Sequence, residues 1–107
     1  MGLSPEEISF ATDLFTGLGD LTTRRMMVGL CLYHDGTIFA IVHSDHGVMI
    51  KGAGAFIDTL NDMGCTRWTT EKPDGTRSSM TYWTLPDNAL DDPAEAVDLA
   101  RSALRHL

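Results

Sequence analysis

Two apolar runs on either side of His34-Asp35-Gly36 limit the possible folds more than any other stretch of this chain. Residues Arg25 to Tyr33 and Thr37 to Val42 are rich in β-branched, aromatic and other apolar side chains, and the Asp-Gly pair between them suits a tight hairpin turn. Strand alternation places Met26, Val28, Leu30 and Leu32 on one face and Met27, Gly29, Cys31 and Tyr33 on the other. In the second run Ile38, Ala40 and Val42 lie opposite Phe39 and Ile41. A sheet wet on one face alternates apolar with polar residues, and these runs do not. Both faces are therefore expected to be covered, either by helices on each side or by another subunit. A homodimer is the expectation that follows.

The ends of the chain are helical by a separate argument. At Ser4-Pro5-Glu6-Glu7 the serine can accept from an orphan amide, the proline has no N–H to lose, and Glu7 holds the capping-box position. Ile8, Ala11, Leu14, Phe15 and Leu18 then recur at helical spacing, with Gly17 or Gly19 to end the helix. Asp92-Pro93-Ala94-Glu95 repeats the start signal, and Val97, Ala100, Leu104 and Leu107 line one face of a last helix. A weaker amphipathic helix covers Ala53 to Met63, after a short strand from Val48 to Lys51. Arg67 to Thr70 and Arg77 to Leu85 read as a second hairpin around Lys72-Pro73-Asp74-Gly75. The order αβββαββα predicts one α+β domain over residues 1–107, with about five antiparallel strands and three helices.

Charge and cysteine content narrow the function classes. Eight basic against fifteen acidic residues give a net charge of -7, which disfavours direct nucleic-acid binding. The two cysteines, Cys31 and Cys65, have no Cys-x-x-Cys spacing. The start shows neither the basic nor the apolar region of a secretory leader. No uncharged run reaches membrane-spanning length. A cytoplasmic protein with reduced thiols is expected.

Several residues carry possible chemistry. His43, Asp45 and His46 place two imidazoles and a carboxylate in one loop, a weak metal-ligand set, with His34 as a further donor; the plainer reading is a solvated turn. Cys31 falls mid-strand among apolar neighbours, where a thiol is inert, whereas Cys65 follows Gly64 in a loop and is the more reactive candidate. No nucleophile, base and orienting group assemble along the chain, so no catalytic residues and no cofactor are expected. For partner binding the candidates are Arg24, Arg25, Trp68 and Trp83. Arg24 shares the face of Met26 and Leu30, Arg25 that of Met27 and Cys31, so the pair cannot form one anion claw. One is expected to pair with Asp13 or Asp20, leaving the other for recognition. Trp68, beside Arg67 and near Arg77, suits either a contact surface or cross-strand packing, and packing is preferred.

Leu18-Gly19-Asp20-Leu21-Thr22-Thr23-Arg24-Arg25-Met26 resembles the opening motif of the TfoX N-terminal domain family. Gly29, the Leu32-Tyr33-His34-Asp35-Gly36 turn and Phe39-Ala40 follow in the family's order. So do Ser79-Met80-Thr81-Tyr82-Trp83-Thr84-Leu85-Pro86 and the Asp92-Pro93 helix. The resemblance runs from about Glu7 to Arg105. It implies a secretion-chaperone-like α+β fold and kinship with a bacterial competence regulator that acts with the cyclic-AMP receptor protein as a transcriptional co-activator. The leading expectation is thus a non-enzymatic regulatory domain that binds a protein partner such as a transcription factor. The alternatives are a metal- or small-molecule-binding domain using the His43–His46 loop, and a thiol enzyme using Cys65.

Overall fold

The computed structural model describes residues 4–26, 29–44 and 46–107. Helix α1 spans Pro5–Phe15 and continues into a 3₁₀ turn at Thr16–Leu18. Strands β1 (Leu21–Met26), β2 (Gly29–His34), β3 (Thr37–His43) and β4 (Gly47–Lys51) follow, then helix α2 (Phe56–Asp62). Strands β5 (Arg67–Glu71) and β6 (Arg77–Thr84) precede the short helix α3 (Asp87–Asp91) and the long helix α4 (Pro93–Leu104). All strand pairs are antiparallel, in the order β1-β2-β3-β4-β6-β5. The α+β antiparallel expectation holds, with six strands and four helices among the described residues.

Both long helices begin as their sequence requires. Ser4 Oγ accepts from the Glu7 amide at 3.2 Å, and Asp92 Oδ1 accepts from the Ala94 amide at 3.0 Å. Each proline sits in the first turn, where an N–H has no helical partner. Between β2 and β3 the Asp35 and Gly36 backbones take φ of 48° and 81°, the pair of positive values a type I′ turn needs.

The expected single strand from Arg25 to Tyr33 is two strands. β1 and β2 pair antiparallel with Met26 opposite Gly29, and residues 27 and 28, which the strand reading ran through, lie outside the described residues. Leu30 and Leu32 remain on the core face and Cys31 and Tyr33 on the other. Met26 changes sides: it stands across from Gly29, and the Cys31 thiol donates to its sulfur at 3.1 Å. The second strand also departs from plain alternation. Leu32 pairs with Ala40 but Tyr33 with Ile38, so Phe39 is the extra residue of a bulge. The bulge turns Phe39 to the core side beside Ala40 and Val42, where its ring meets Phe15 edge-on at 5.2 Å.

One face of the sheet holds the main core. Leu30, Leu32, Phe39, Val42, Ile50 and Trp83 pack under Leu14 and Phe15 of α1, Phe56 and Leu60 of α2, Ala89 of α3, and Leu99 and Ala100 of α4. The helices therefore share a single side, and among the described residues no helix contributes to the core cluster from the opposite face. Even so, Ile41 and Met49, paired on that opposite face, are each only 1 % exposed. Both are thus covered within the single chain. Trp68 on β5 lies 4.8 Å from the His43 ring on β3 and 6.4 Å from Tyr82 on β6, so it leans across the strand that carries Met49.

Candidate functional site

Strand β1 is an outer edge of the sheet, and Thr22, Thr23, Arg24 and Arg25 are all exposed on it. Register with β2 reverses the expected faces of the arginines. Arg24 stands opposite Cys31 on the helix-free face, and Arg25 stands opposite Leu30 on the helix face. The reversal follows from the antiparallel register, which sets even-numbered positions of β1 opposite odd-numbered positions of β2. The two guanidinium groups do point to opposite sides. Among the described residues neither is ion-paired, so the expected bond to Asp13 or Asp20 is not formed. The Asp20 backbone instead takes φ of 49° and its carbonyl accepts from the Asp35 amide at 3.1 Å. His34 joins the same corner, with Nδ1 2.7 Å from the Gly19 carbonyl. Thr22, Thr23, Arg24, Tyr33 and Gly36 line a shallow hollow of about 430 Å³ beside this edge.

The aromatic candidates separate. Trp83 is 0 % exposed and offers no surface to a partner in this fold. Its Nε1 donates to Asn61 Oδ1 at 3.1 Å, and the Arg67 guanidinium lies 4.6 Å from its ring centre. Arg67 also donates from Nε to the Met80 carbonyl at 2.8 Å. Arg67 therefore clamps the core tryptophan and does not build a surface with Trp68. Trp68 is half-buried on the other face, against His43 and His46.

The rings of His43 and His46 stand 4.5 Å apart, and His43 is buried while His46 is exposed. Asp45, the third member of the expected metal set, lies outside the described residues. His34 is not a neighbour: it pairs with Thr37 at one end of the β2–β3 ladder, whereas His43 pairs with Gly29 at the other. Two imidazoles are half the donors of a tetrahedral zinc site. Among the described residues no three His, Cys, Asp or Glu side chains converge on one point.

Both cysteines are free thiols and both are half-buried. Cys65 packs at the margin of the core, and burial pushes its thiol above the usual range. A raised pKa means less thiolate at neutral pH, the opposite of an activated nucleophile. Tyr82 is raised as well, by burial first and then by its neighbours Cys31 and Tyr33.

One feature escapes the sequence reading. A cleft of about 560 Å³ opens between the first half of α1 and α3. Val42, Val48 and Leu85 form its buried floor, and Leu90 lines one wall. Phe10, on the other wall, is 47 % exposed. Glu6, Glu7 and Asp87 stand among the lining residues, with His46 close by at the β3–β4 turn. In the sequence Phe10 sits at the margin of the α1 apolar stripe, four positions before Leu14, so no local pattern marks the cleft.

No helix among the described residues is long and apolar enough to cross a membrane. A search of curated proteins finds no match. The family model described as the TfoX N-terminal domain matches residues 13–107, which takes in β1 with both arginines, the Asp35-Gly36 turn, the Trp83 strand and α4. The chain belongs to the TfoX N-terminal domain family.

Proposed function

We propose that this chain is a non-enzymatic, cytoplasmic regulatory domain that acts by binding another protein, with transcriptional co-regulation related to competence control as its particular form. Family membership supports the regulatory class. The observation that carries the reading is the outer edge of β1. Its six residues leave one row of backbone groups unpaired, and four consecutive side chains are exposed. An extended segment added to such an edge gains main-chain hydrogen bonds along its length. Arg24 and Arg25 then flank the added strand, one on each face, and favour a partner segment carrying carboxylates. The net charge of -7 fits protein contact better than contact with a phosphate backbone.

A second copy of the chain is the proposed neighbour on the helix-free face, where Cys31, Tyr33, Ile38 and Tyr82 stay partly exposed. Sedimentation showing only monomer at micromolar concentration removes that part of the proposal.

The direct test is titration of the purified chain into the cyclic-AMP receptor protein of its source, with cyclic AMP present. The Arg24→Glu/Arg25→Glu variant is run beside the wild type. The expected result is a complex that weakens at least about tenfold in the variant while the melting temperature holds. No complex removes the competence-related form. A complex that the variant leaves untouched removes β1 as the binding edge.

A further inference from the structure

The cleft between α1 and α3 is a second surface, at the sheet end where β3 stops and β4 begins, on the side of the helices. Its floor is apolar and its mouth is acidic. Glu6 and Glu7 lie on the α1 wall and Asp87 on the α3 wall. No Lys or Arg lines it. Among the described residues none of these three carboxylates has a cationic partner. Acidic residues in a first helical turn complement the helix dipole, which explains their type at these positions. That preference does not require them to face an apolar hollow. Glu6 and Phe10, four residues apart, lie on one stripe of α1 and both reach the cleft.

Volume and shape narrow the occupant. About 560 Å³ is enough for one or two large apolar side chains, within the range of ordinary ligand sites of roughly 300–1,000 Å³. The walls are two helices, which suits a third helix laid between them with its apolar residues downward. Carboxylates on both walls then meet basic residues on both flanks of that helix. The half-exposed Phe10 ring extends the apolar surface outward beyond the floor.

We propose that this cleft docks a basic amphipathic helix of a partner protein, an apolar anchor flanked by Lys or Arg on each side. The site is distinct from the β1 edge, and it has the opposite charge preference. A chain that takes an acidic segment at β1 and a basic helix at the cleft can bridge two proteins, or two parts of one.

The test is fluorescence anisotropy of the full chain with a labelled model peptide, leucine and lysine at helical spacing, beside the same peptide with glutamate for lysine. The expected result is saturable binding of the lysine peptide alone, weakening with added salt. The Glu6→Gln/Glu7→Gln/Asp87→Asn variant is expected to lose at least about tenfold in affinity. A charge-matched control, Asp58→Asn/Asp62→Asn/Glu71→Gln, keeps wild-type binding if the site is local. Phe10→Ser, at an exposed position, tests the apolar half without emptying the core. Three results overturn the proposal: equal binding of both peptides, equal loss in cleft and control variants, or no binding. Self-association of the chain alone that Phe10→Ser abolishes also overturns it, because the occupant is then a second copy. The Arg24→Glu/Arg25→Glu variant is expected to bind the lysine peptide as the wild type does, so failure here and failure at β1 remain separate.

Discussion

Replacing Trp83 by Phe tests whether this residue belongs to the core or to a recognition surface. The side chain is fully buried, and three interactions depend on its indole. The bond from Nε1 to Asn61 is lost, but Asn61 is exposed and its oxygen regains water, so the cost is about 1 kcal/mol. The Arg67 guanidinium, half-buried over the ring, loses part of a contact worth about 0.5–1 kcal/mol. The void left beside Leu60 and Gly52 adds about 1 kcal/mol more. The total is about 2–3 kcal/mol, a large part of the roughly 5–15 kcal/mol that holds a domain of this size. At roughly 4–8 °C per kcal/mol, the melting temperature falls by about 8–24 °C. Trp83→Ala is expected to cost about 3–5 kcal/mol and to leave little folded protein at physiological temperature. Urea and thermal melts followed by far-ultraviolet circular dichroism measure both, with Trp68 as an internal fluorescent reporter. Wild-type stability in Trp83→Phe, together with lost partner binding, refutes the burial argument and returns Trp83 to the surface.

Gly52→Ala is expected to cost about 1–3 kcal/mol, because a Cβ there stands 2.6 Å from Trp83 Cζ3 and 2.9 Å from Leu60 Cδ1. In the Trp83→Phe background the same change costs less, since the crowding indole atoms are gone, and a double-mutant cycle in urea reads the coupling. Tyr82 predicts a loss of stability in alkali. Burial raises its phenol in the folded state, so the unfolded chain ionises first, and stability is constant below the ordinary tyrosine range and falls as pH rises through it. Tyr82→Phe is expected to flatten that decline in pH-dependent urea melts, and an unchanged slope counts against the burial of Tyr82 as its cause.

The parts of the fold legible in the sequence are those fixed by neighbours a few residues apart. Ser4 and Asp92 cap their helices through bonds to amides three and two residues on, so the start signals needed no tertiary information. The Asp35-Gly36 turn is equally local. Parity along the strands is not. From Arg25 to Tyr33 the apolar run contains no polar turn pair to mark a reversal, so a hairpin reads as one strand and Arg24 and Arg25 exchange faces. The bulge at Phe39 does the same inside β3, because an extra residue leaves no mark in an all-apolar run. Gly29 is the one residue there with a physical signal. A Cβ on it collides with the Val42 carbonyl oxygen of β3, so glycine is required by a strand thirteen positions away.

Strands apolar on both sides need cover on both faces of the sheet. Helices or a second subunit are the expected cover for the second face, yet Ile41 and Met49 are already buried within the single chain, and Trp68 leans across the strand that carries Met49. Trp68 can do this because β5 is the far edge of the sheet and its ring leans inward over β6 and β4. Placing that tryptophan requires knowing that β5 lies outside β6, a topological fact without a local signature. The α1–α3 cleft is hidden for the same reason. Its lining comes from separate stretches of the chain, and Phe10, at the margin of the α1 stripe, breaks no local rule. Exposed Phe10 and Arg24 mark open surface, whereas Cys65 and Trp83 lie inward. Phe10 leads to a cleft and Arg24 to an open edge, whereas Cys65 leads to a thiol that burial makes less reactive and Trp83 to the middle of the core.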